Sequence, residues 1–156
     1  MSKLSQSLLL LARIENNQFS EKQEVNIHNI AKNIILELDE WISERSLTVS
    51  NEINDLKVNM NSQLANTLIT NLIINAIKHS NKQESILLRS DNSILTISNP
   101  GTMALDGDRI FDRFWKSEYS DGTGLGLAIS KQICDHYGFL LQYEFKKGAH
   151  YFSILF

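Results

Sequence analysis

The residues best placed to do chemistry are Asn71, Asn75, Lys78 and His79, spaced four, three and one apart. On a helix this spacing puts them on one narrow face. The spacing predicts a helix over residues 63–80, with no glycine or proline inside it. Ala65, Leu68, Ile69, Leu72, Ile73, Ile74, Ala76 and Ile77 cover the rest of its circumference, so the helix is buried on nearly every side. A solvated stripe would favour Lys, Glu and Gln, because Asn is a weaker helix former. Two asparagines followed by a cation point to a surface that meets a ligand, a metal ion with an anion beside it. A plain solvated face remains the competing account of the stripe alone. A second group lies further along. Gly122, Gly124 and Gly126 alternate, and the third opens a helix. Alternate glycines let a ligand approach the backbone without meeting a Cβ. A helix N-terminus offers free N–H groups and partial positive charge, which suit phosphate. The run is not a Walker loop, since no Gly-Lys-Ser/Thr follows. Its G-x-G-x-G spacing, after a loop rather than a strand, also fails as a dinucleotide fingerprint. A purely structural glycine-rich helix start stays open at this point.

The elements that must position these groups fit one domain with an appendage, at 156 residues. A composition 42% hydrophobic and 21% charged is that of a globular chain able to bury a core. A net charge of −3 gives no sign of a nucleic-acid or acidic-membrane surface. The single cysteine, Cys134, rules out an internal disulfide framework and reads as a buried, inert thiol in a reducing compartment. Four scattered histidines offer no zinc cluster. The apolar run Leu8–Ala12 is too short for a membrane span or a signal core.

Residues 3–15 place Leu4, Leu8, Leu11 and Ala12 at helical spacing, without a clear N-cap. They read as the last turns of a longer helix, opened mid-way, whose apolar stripe faces a partner; a short packed helix is the alternative. A short strand is expected near Val25 and Ile27, then a helix over residues 28–43. Strands follow at 47–53 and 56–60, the second as return strand of the first. After the long helix, residues 85–89 and 94–98 flank Asp91-Asn92 as a hairpin. Residues 102–109 are irregular, 110–115 carry an aromatic patch, and a helix runs from the glycines to about His136. Two strands, 139–145 and 150–156, close the chain. This order predicts an α+β fold: a two-layer sandwich of a mixed β-sheet covered on one face by about three helices.

Four stretches in order resemble the nucleotide-binding domain of sensor histidine kinases, within the gyrase, chaperone, kinase and mismatch-repair ATPase superfamily. Asn71–His79 is similar to its asparagine box and Asn99-Pro100-Gly101 stands at its first glycine box. Ile110–Trp115 is similar to its phenylalanine box, and Gly122–Ser130 to its second glycine box. The resemblance covers residues 20–156 and implies a Bergerat-type ATP-binding fold. Residues 1–19 then resemble the end of a dimerisation and phosphoacceptor helix with its linker. ATP and Mg²⁺ are the implied cofactors. Asn75 would give an amide oxygen to Mg²⁺, with Asn71 supporting the ion directly or through water. Lys78 would bring charge to the phosphates, and His79 a donor at the pocket edge. Asn99 would meet the adenine amino group, and Gly101 would belong to the nucleotide site beside it. Gly122, Thr123, Gly124, Leu125, Gly126 and Leu127 would cradle phosphate, chiefly through the amides of Leu125 and Gly126. Phe111 and Phe114 would anchor a lid over residues 102–121, and Arg113 would reach phosphate or form a surface ion pair.

Three departures shape the expectations. Asn99 stands where the family usually has an aspartate, so the adenine amino group loses a charge-assisted acceptor, worth about 1 kcal/mol. Weaker ATP binding and poorer discrimination against guanine follow. Met103 replaces a second glycine, which makes the start of the lid less permissive. Asn71 stands where hydrolytic relatives carry a basic glutamate, which favours transfer to an imidazole over hydrolysis. His28, His79, His136 and His150 all lack the surroundings of a kinase acceptor histidine. The chain is therefore expected to bind Mg-ATP without phosphorylating itself. The alternatives are a nucleotide-binding switch or scaffold that has lost catalysis, and a hydrolytic ATPase. Implied partners are the kinase's own dimerisation domain and a response regulator receiver domain. The full-length protein would be a cytoplasmic or membrane-attached homodimer, with this part in the cytoplasm and touching neither nucleic acid nor membrane.

Overall fold

A computed structural model describes residues 2–116 and 123–156. The elements run α1 (Lys3–Glu15), β1 (Gln23–Asn26), α2 (Ile27–Glu37), α3 (Asp39–Glu44), β2 (Thr48–Glu52), β3 (Lys57–Met60) and α4 (Ser62–Lys78). They continue as β4 (Ser85–Asp91), β5 (Ile94–Pro100), α5 (Gly126–Tyr137), β6 (Leu140–Lys146) and β7 (Ala149–Leu155). Five strands form one mixed sheet in the order β2-β4-β5-β7-β6, with β2 and β4 parallel and the other neighbours antiparallel. Alternate residues of the inner strands face the core: Ile86, Leu88, Leu95, Ile97, Phe152 and Ile154 are all buried. Helices α2, α4 and α5 cover that face, and α1 lies against α5. The expected two-layer α+β sandwich is what forms.

Helix α4 is the centre of the helical layer. Asn61 caps it, its side-chain oxygen accepting the Leu64 N–H at 3.1 Å. Eight of its residues, from Leu64 to Ile77, are buried. Truncating one of the large ones, such as Ile73→Ala, costs about 2–5 kcal/mol. This burial on several sides holds the polar stripe of the helix in a fixed orientation.

Three local expectations change. Strand β3 is not the return of β2; it pairs antiparallel with β1, Val25 opposite Val58, in a separate two-stranded sheet. Strand β2 instead lies parallel to β4, with the crossover supplied by α4. The intervening Asn54 donates its N–H to Ser90 Oγ at 2.8 Å, and Asn26 donates to Asp55 at 3.0 Å, which holds the link across the fold rather than in a turn. The helix expected over 28–43 is two helices that meet at Leu38. Asp39 and Glu40, acidic residues suited to a helix N-terminus, start the second. Helix α1 does have a cap, the Ser2 hydroxyl, which accepts the Ser5 N–H at 3.1 Å. Its Leu11 and Ile14 are buried, whereas Leu4, Leu8 and Leu9 stay 38–50% exposed. The stripe therefore docks at its C-terminal end on the rest of the described chain, against α5.

Candidate functional site

The stripe on α4 forms one wall of a cleft of 320 Å³. Asn71, Asn75, Lys78 and His79 line it, with Ile74 between them. The start of α5 faces them, through Thr123, Gly124, Gly126 and Leu127. Leu105, Trp115 and Lys116 border the cleft from the loop before α5, and Lys3, Gln6 and Ser7 from α1. Among the described residues three lysines line this space and no carboxylate does, in a chain whose net charge is −3. Such a concentration of one sign draws anions.

At one end of the cleft the contacts are mostly backbone. Asn71 Nδ2 donates to the Gly126 carbonyl at 3.2 Å, tying the middle of α4 to the first residue of α5. Among the described residues no side chain caps α5, and free first-turn N–H groups of a helix suit an anion. Among the described residues the Leu125 N–H reaches Thr123 Oγ1, at 3.4 Å. Gly124 has φ +72° and its carbonyl accepts the Phe114 N–H at 2.9 Å. A Cβ there would lie 2.8 Å from the Phe114 carbonyl carbon. Glycine is required at 124 by both conformation and space. The case at 126 is weaker, since a Cβ would only touch Asn71 at 4.0 Å.

At the other end the contacts are side chains. Asn99 is 2% exposed and directs its Nδ2 to the Pro100 carbonyl at 3.2 Å and the His79 carbonyl at 3.5 Å. With both N–H hydrogens so directed, Oδ1 is the end left to accept. Gly101 follows, its N–H bonded to the Gly148 carbonyl at 2.9 Å. A Cβ on Gly101 would fall 2.2 Å from His150 Nε2. Burial, then the neighbouring His79, push the His150 pKa below its ordinary value.

The expected residues therefore divide. Asn71, Asn75, Lys78, His79, Thr123, Gly124, Gly126 and Leu127 come together around the cleft. Leu125 is buried beneath it, and Asn99 and Gly101 sit behind the His79 end rather than on its lining. Phe111 packs edge-on against Phe152 at 6.3 Å, on the sheet. Phe114 does not anchor the loop by its ring, which is 54% exposed; its backbone N–H does that work, while Ile110, 1% exposed, is the buried anchor. Arg113 does not reach the cleft and pairs with Glu15. Gly122 lies outside the described residues. Trp115, which closes the phenylalanine box, lines the cleft without being among the expected site residues, and Leu105, Lys116 and the α1 residues are cleft components outside the motifs. Leu105, a leucine inside a mostly polar stretch, is a local signal for one of them. Cys134 is buried and its thiol is pushed up to about 12, which leaves it unreactive.

A helical layer on a mixed sheet, with a lysine-lined cleft at the start of a helix, defines an α+β domain suited to a phosphate-rich ligand. Residues 60–155 match the family described as histidine kinase-, DNA gyrase B- and HSP90-like ATPases. They make up more than half of the chain, which belongs to that family. The heme sensor protein HssS of Staphylococcus epidermidis is 36% identical over 146 residues, covering 88% of this chain and 32% of that protein. The chain thus spans about a third of the length of such relatives. Among solved structures, the Acinetobacter baumannii histidine kinase AdeS superposes with a TM-score of 0.79 at 21% identity, covering 96% of this chain and 74% of that one. Histidine kinase ThkA, in complex with the response regulator TrrA, gives 0.70 at 19% identity over 97% of this chain and 47% of that one. These two likenesses are of fold.

Proposed function

We propose that the chain is the ATP-binding catalytic domain of a sensor histidine kinase, binding Mg-ATP and presenting its γ-phosphate to a histidine on a dimerisation domain. The cleft carries this reading: among the described residues it shows three lysines and no carboxylate, and the N-terminus of α5, without a side-chain cap, stands opposite the two asparagines. In it, the N–H groups at the start of α5 bind phosphate oxygens, and Lys78 adds charge. Asn99 accepts from the adenine amino group through Oδ1. Its amide orientation supports adenine over guanine, whose O6 would oppose an acceptor, and so narrows the loss of discrimination that its lack of charge implies.

The donor set fits Mg²⁺. That ion takes neutral oxygens and phosphate oxygens and keeps several waters. Asn75 offers an amide oxygen, and Asn71, with Nδ2 committed to Gly126, has its oxygen left for the ion or its water. When bound, the ion would neutralise charge on the phosphates. Asn71 cannot accept a proton from water, which supports transfer over hydrolysis. Met103 is 71% exposed and outside the cleft lining, so it gives no support to a catalytically lost switch.

Residues 1–19 would be the end of the dimerisation helix and its linker, and 20–156 the catalytic domain. The receiver domain of a response regulator would be the partner in phosphotransfer, in keeping with the complex of ThkA with the response regulator TrrA. The full-length protein would be a homodimer, with this domain in the cytoplasm. Calorimetry with ATP, ADP and GTP, with and without Mg²⁺, tests the reading. Mg²⁺-dependent ATP binding tighter than GTP binding is expected. Binding that ignores both base and Mg²⁺ would overturn it. Incubation with labelled ATP should leave this chain unlabelled.

A further inference from the structure

Behind the side-chain end of the cleft lies a chain of hydrogen bonds that none of the motifs contains. His150 on β7 is the Cα partner of Asn99 on β5 and is 7% exposed. Its Nδ1 lies 2.7 Å from the Tyr143 hydroxyl on β6, and the same hydroxyl accepts the Leu105 N–H at 2.9 Å. The Leu105 N–H can only donate, so the Tyr143 oxygen accepts it. In the tautomer with the proton on Nε2, the Tyr143 hydroxyl donates to the bare Nδ1 and the relay runs in one direction from Leu105 to His150. Burial, which disfavours the charged ring, agrees with the neutral form. The rings of Tyr143 and His150 lie 5.8 Å apart and 26° from parallel, and Phe145 is 5.0 Å from the imidazole on the strand of Tyr143. Leu105, at the loop end of the relay, lines the cleft and directly precedes the turn in which Asp106 accepts the Arg109 and Ile110 N–H groups.

We propose that Tyr143 and His150 are positioning residues for nucleotide binding, holding Leu105 in place as the apolar wall against which the base is seated. The proposal rests on the nucleotide reading above and assigns the base end of the cleft to a part of the sheet outside the sequence motifs. It also explains Gly101 in this chain. The imidazole occupies the space a Cβ would need, so any larger residue pushes His150 away from Tyr143. The phosphate end, built on α5 and Asn71, shares no atom with this relay.

The test measures two probes on the full chain by calorimetry with Mg²⁺: ATP, which has a base, and inorganic tripolyphosphate, which has none. Tyr143→Phe keeps the ring and removes the hydroxyl. It should weaken ATP about tenfold and leave tripolyphosphate unchanged. Gly101→Ala, acting through the displaced imidazole, should reproduce that split even where Tyr143→Phe folds poorly. His150→Asn, which keeps an acceptor near the place of Nδ1, should retain ATP affinity, and His150→Leu should lose it. Equal weakening of both probes, or no change in either, overturns the positioning role while the nucleotide reading stands. Wild-type protein that binds neither probe overturns both.

Discussion

The two ends of the cleft are made of different materials. At the α5 end the working groups are backbone amides, and side chains serve to place them: Asn71 ties α4 to Gly126, and the Gly124 carbonyl holds Phe114. At the Asn99 end the working groups are side chains: buried Asn99 is oriented by the Pro100 and His79 carbonyls, and buried His150 by the Tyr143 hydroxyl. Amides at a helix start bind any phosphate and tell no base from another. Oriented side-chain groups discriminate, because a wrong partner leaves buried polar atoms unmatched. Substitutions at the first end should therefore lower affinity for every nucleotide, and those at the second should change which nucleotide is preferred.

The largest expected effect is at Gly124. Gly124→Val puts a β-branched residue at φ +72°, with its Cβ 2.8 Å from the Phe114 backbone. Strain of this kind costs roughly 3 kcal/mol, on the order of a hundredfold in affinity. ATP, ADP and GTP should weaken together in a calorimetric titration. A dissociation constant within threefold of wild type would remove the backbone clasp from the site. Asn75→Ala comes next. It should weaken Mg-ATP about tenfold through loss of an oxygen near charge, while ATP in chelator binds as before. Loss of equal size with and without Mg²⁺ would make Asn75 a phosphate or packing residue instead.

Asn99 tests the other end, and there stability and affinity should part. Asn99→Asp replaces a donor with a carboxylate oxygen beside the Pro100 and His79 carbonyls. The nucleotide-free protein should lose about 1–2 kcal/mol, a melting shift of several degrees. ATP affinity should rise about fivefold, because a charged acceptor faces the adenine amino group. Unchanged ATP affinity would take Asn99 out of the adenine site. Acid should probe the same end. His150 titrates below its unfolded value of about 6.5, so between the two values the unfolded chain binds more protons. Stability is then full above about pH 6.5 and is lost as pH falls through the folded value. Tyr143 stays neutral throughout, its pKa raised by burial. Denaturant titrations of His150→Asn should show a shallower fall below pH 6.5.

How much of this was legible in the chain follows the same division. Helix α4 is plain in its periodicity, and its polar stripe in residue type. The β4–β5 hairpin is plain in Asp91-Asn92, where Asn92 takes φ +54°. The glycine run marks the start of α5. All of these are local, a few residues wide. The partner of β3, the relay from Leu105 to His150 and the placing of α1 beside the cleft join residues dozens apart. Alternation says that a strand has a buried face but names no neighbour. A lone Tyr143 or His150 in a strand looks the same whether it fills the core or orients a loop. Phe114 was misleading for a related reason: an aromatic residue in a motif suggests packing, and here the backbone makes the contact.

The smallest expected effect belongs to the ion pair between Arg113 and Glu15, which couples the loop after Ile110 to the end of α1. Both side chains are nearly half exposed, 46% and 47%. Solvent screening limits a pair of this kind to about 0.5 kcal/mol. Glu15→Ala should accordingly move the melting temperature by no more than a degree or two, and less still at high salt. Its interest lies in which end of the cleft responds. If Arg113, once released, turns to phosphate, affinity for tripolyphosphate and ATP should rise together. The ratio of ATP to GTP binding should stay fixed, because the arginine adds charge and no base contact. A change in that ratio would show that the ion pair acts on the Leu105 wall, and the two ends of the cleft would then be coupled through the loop that joins them.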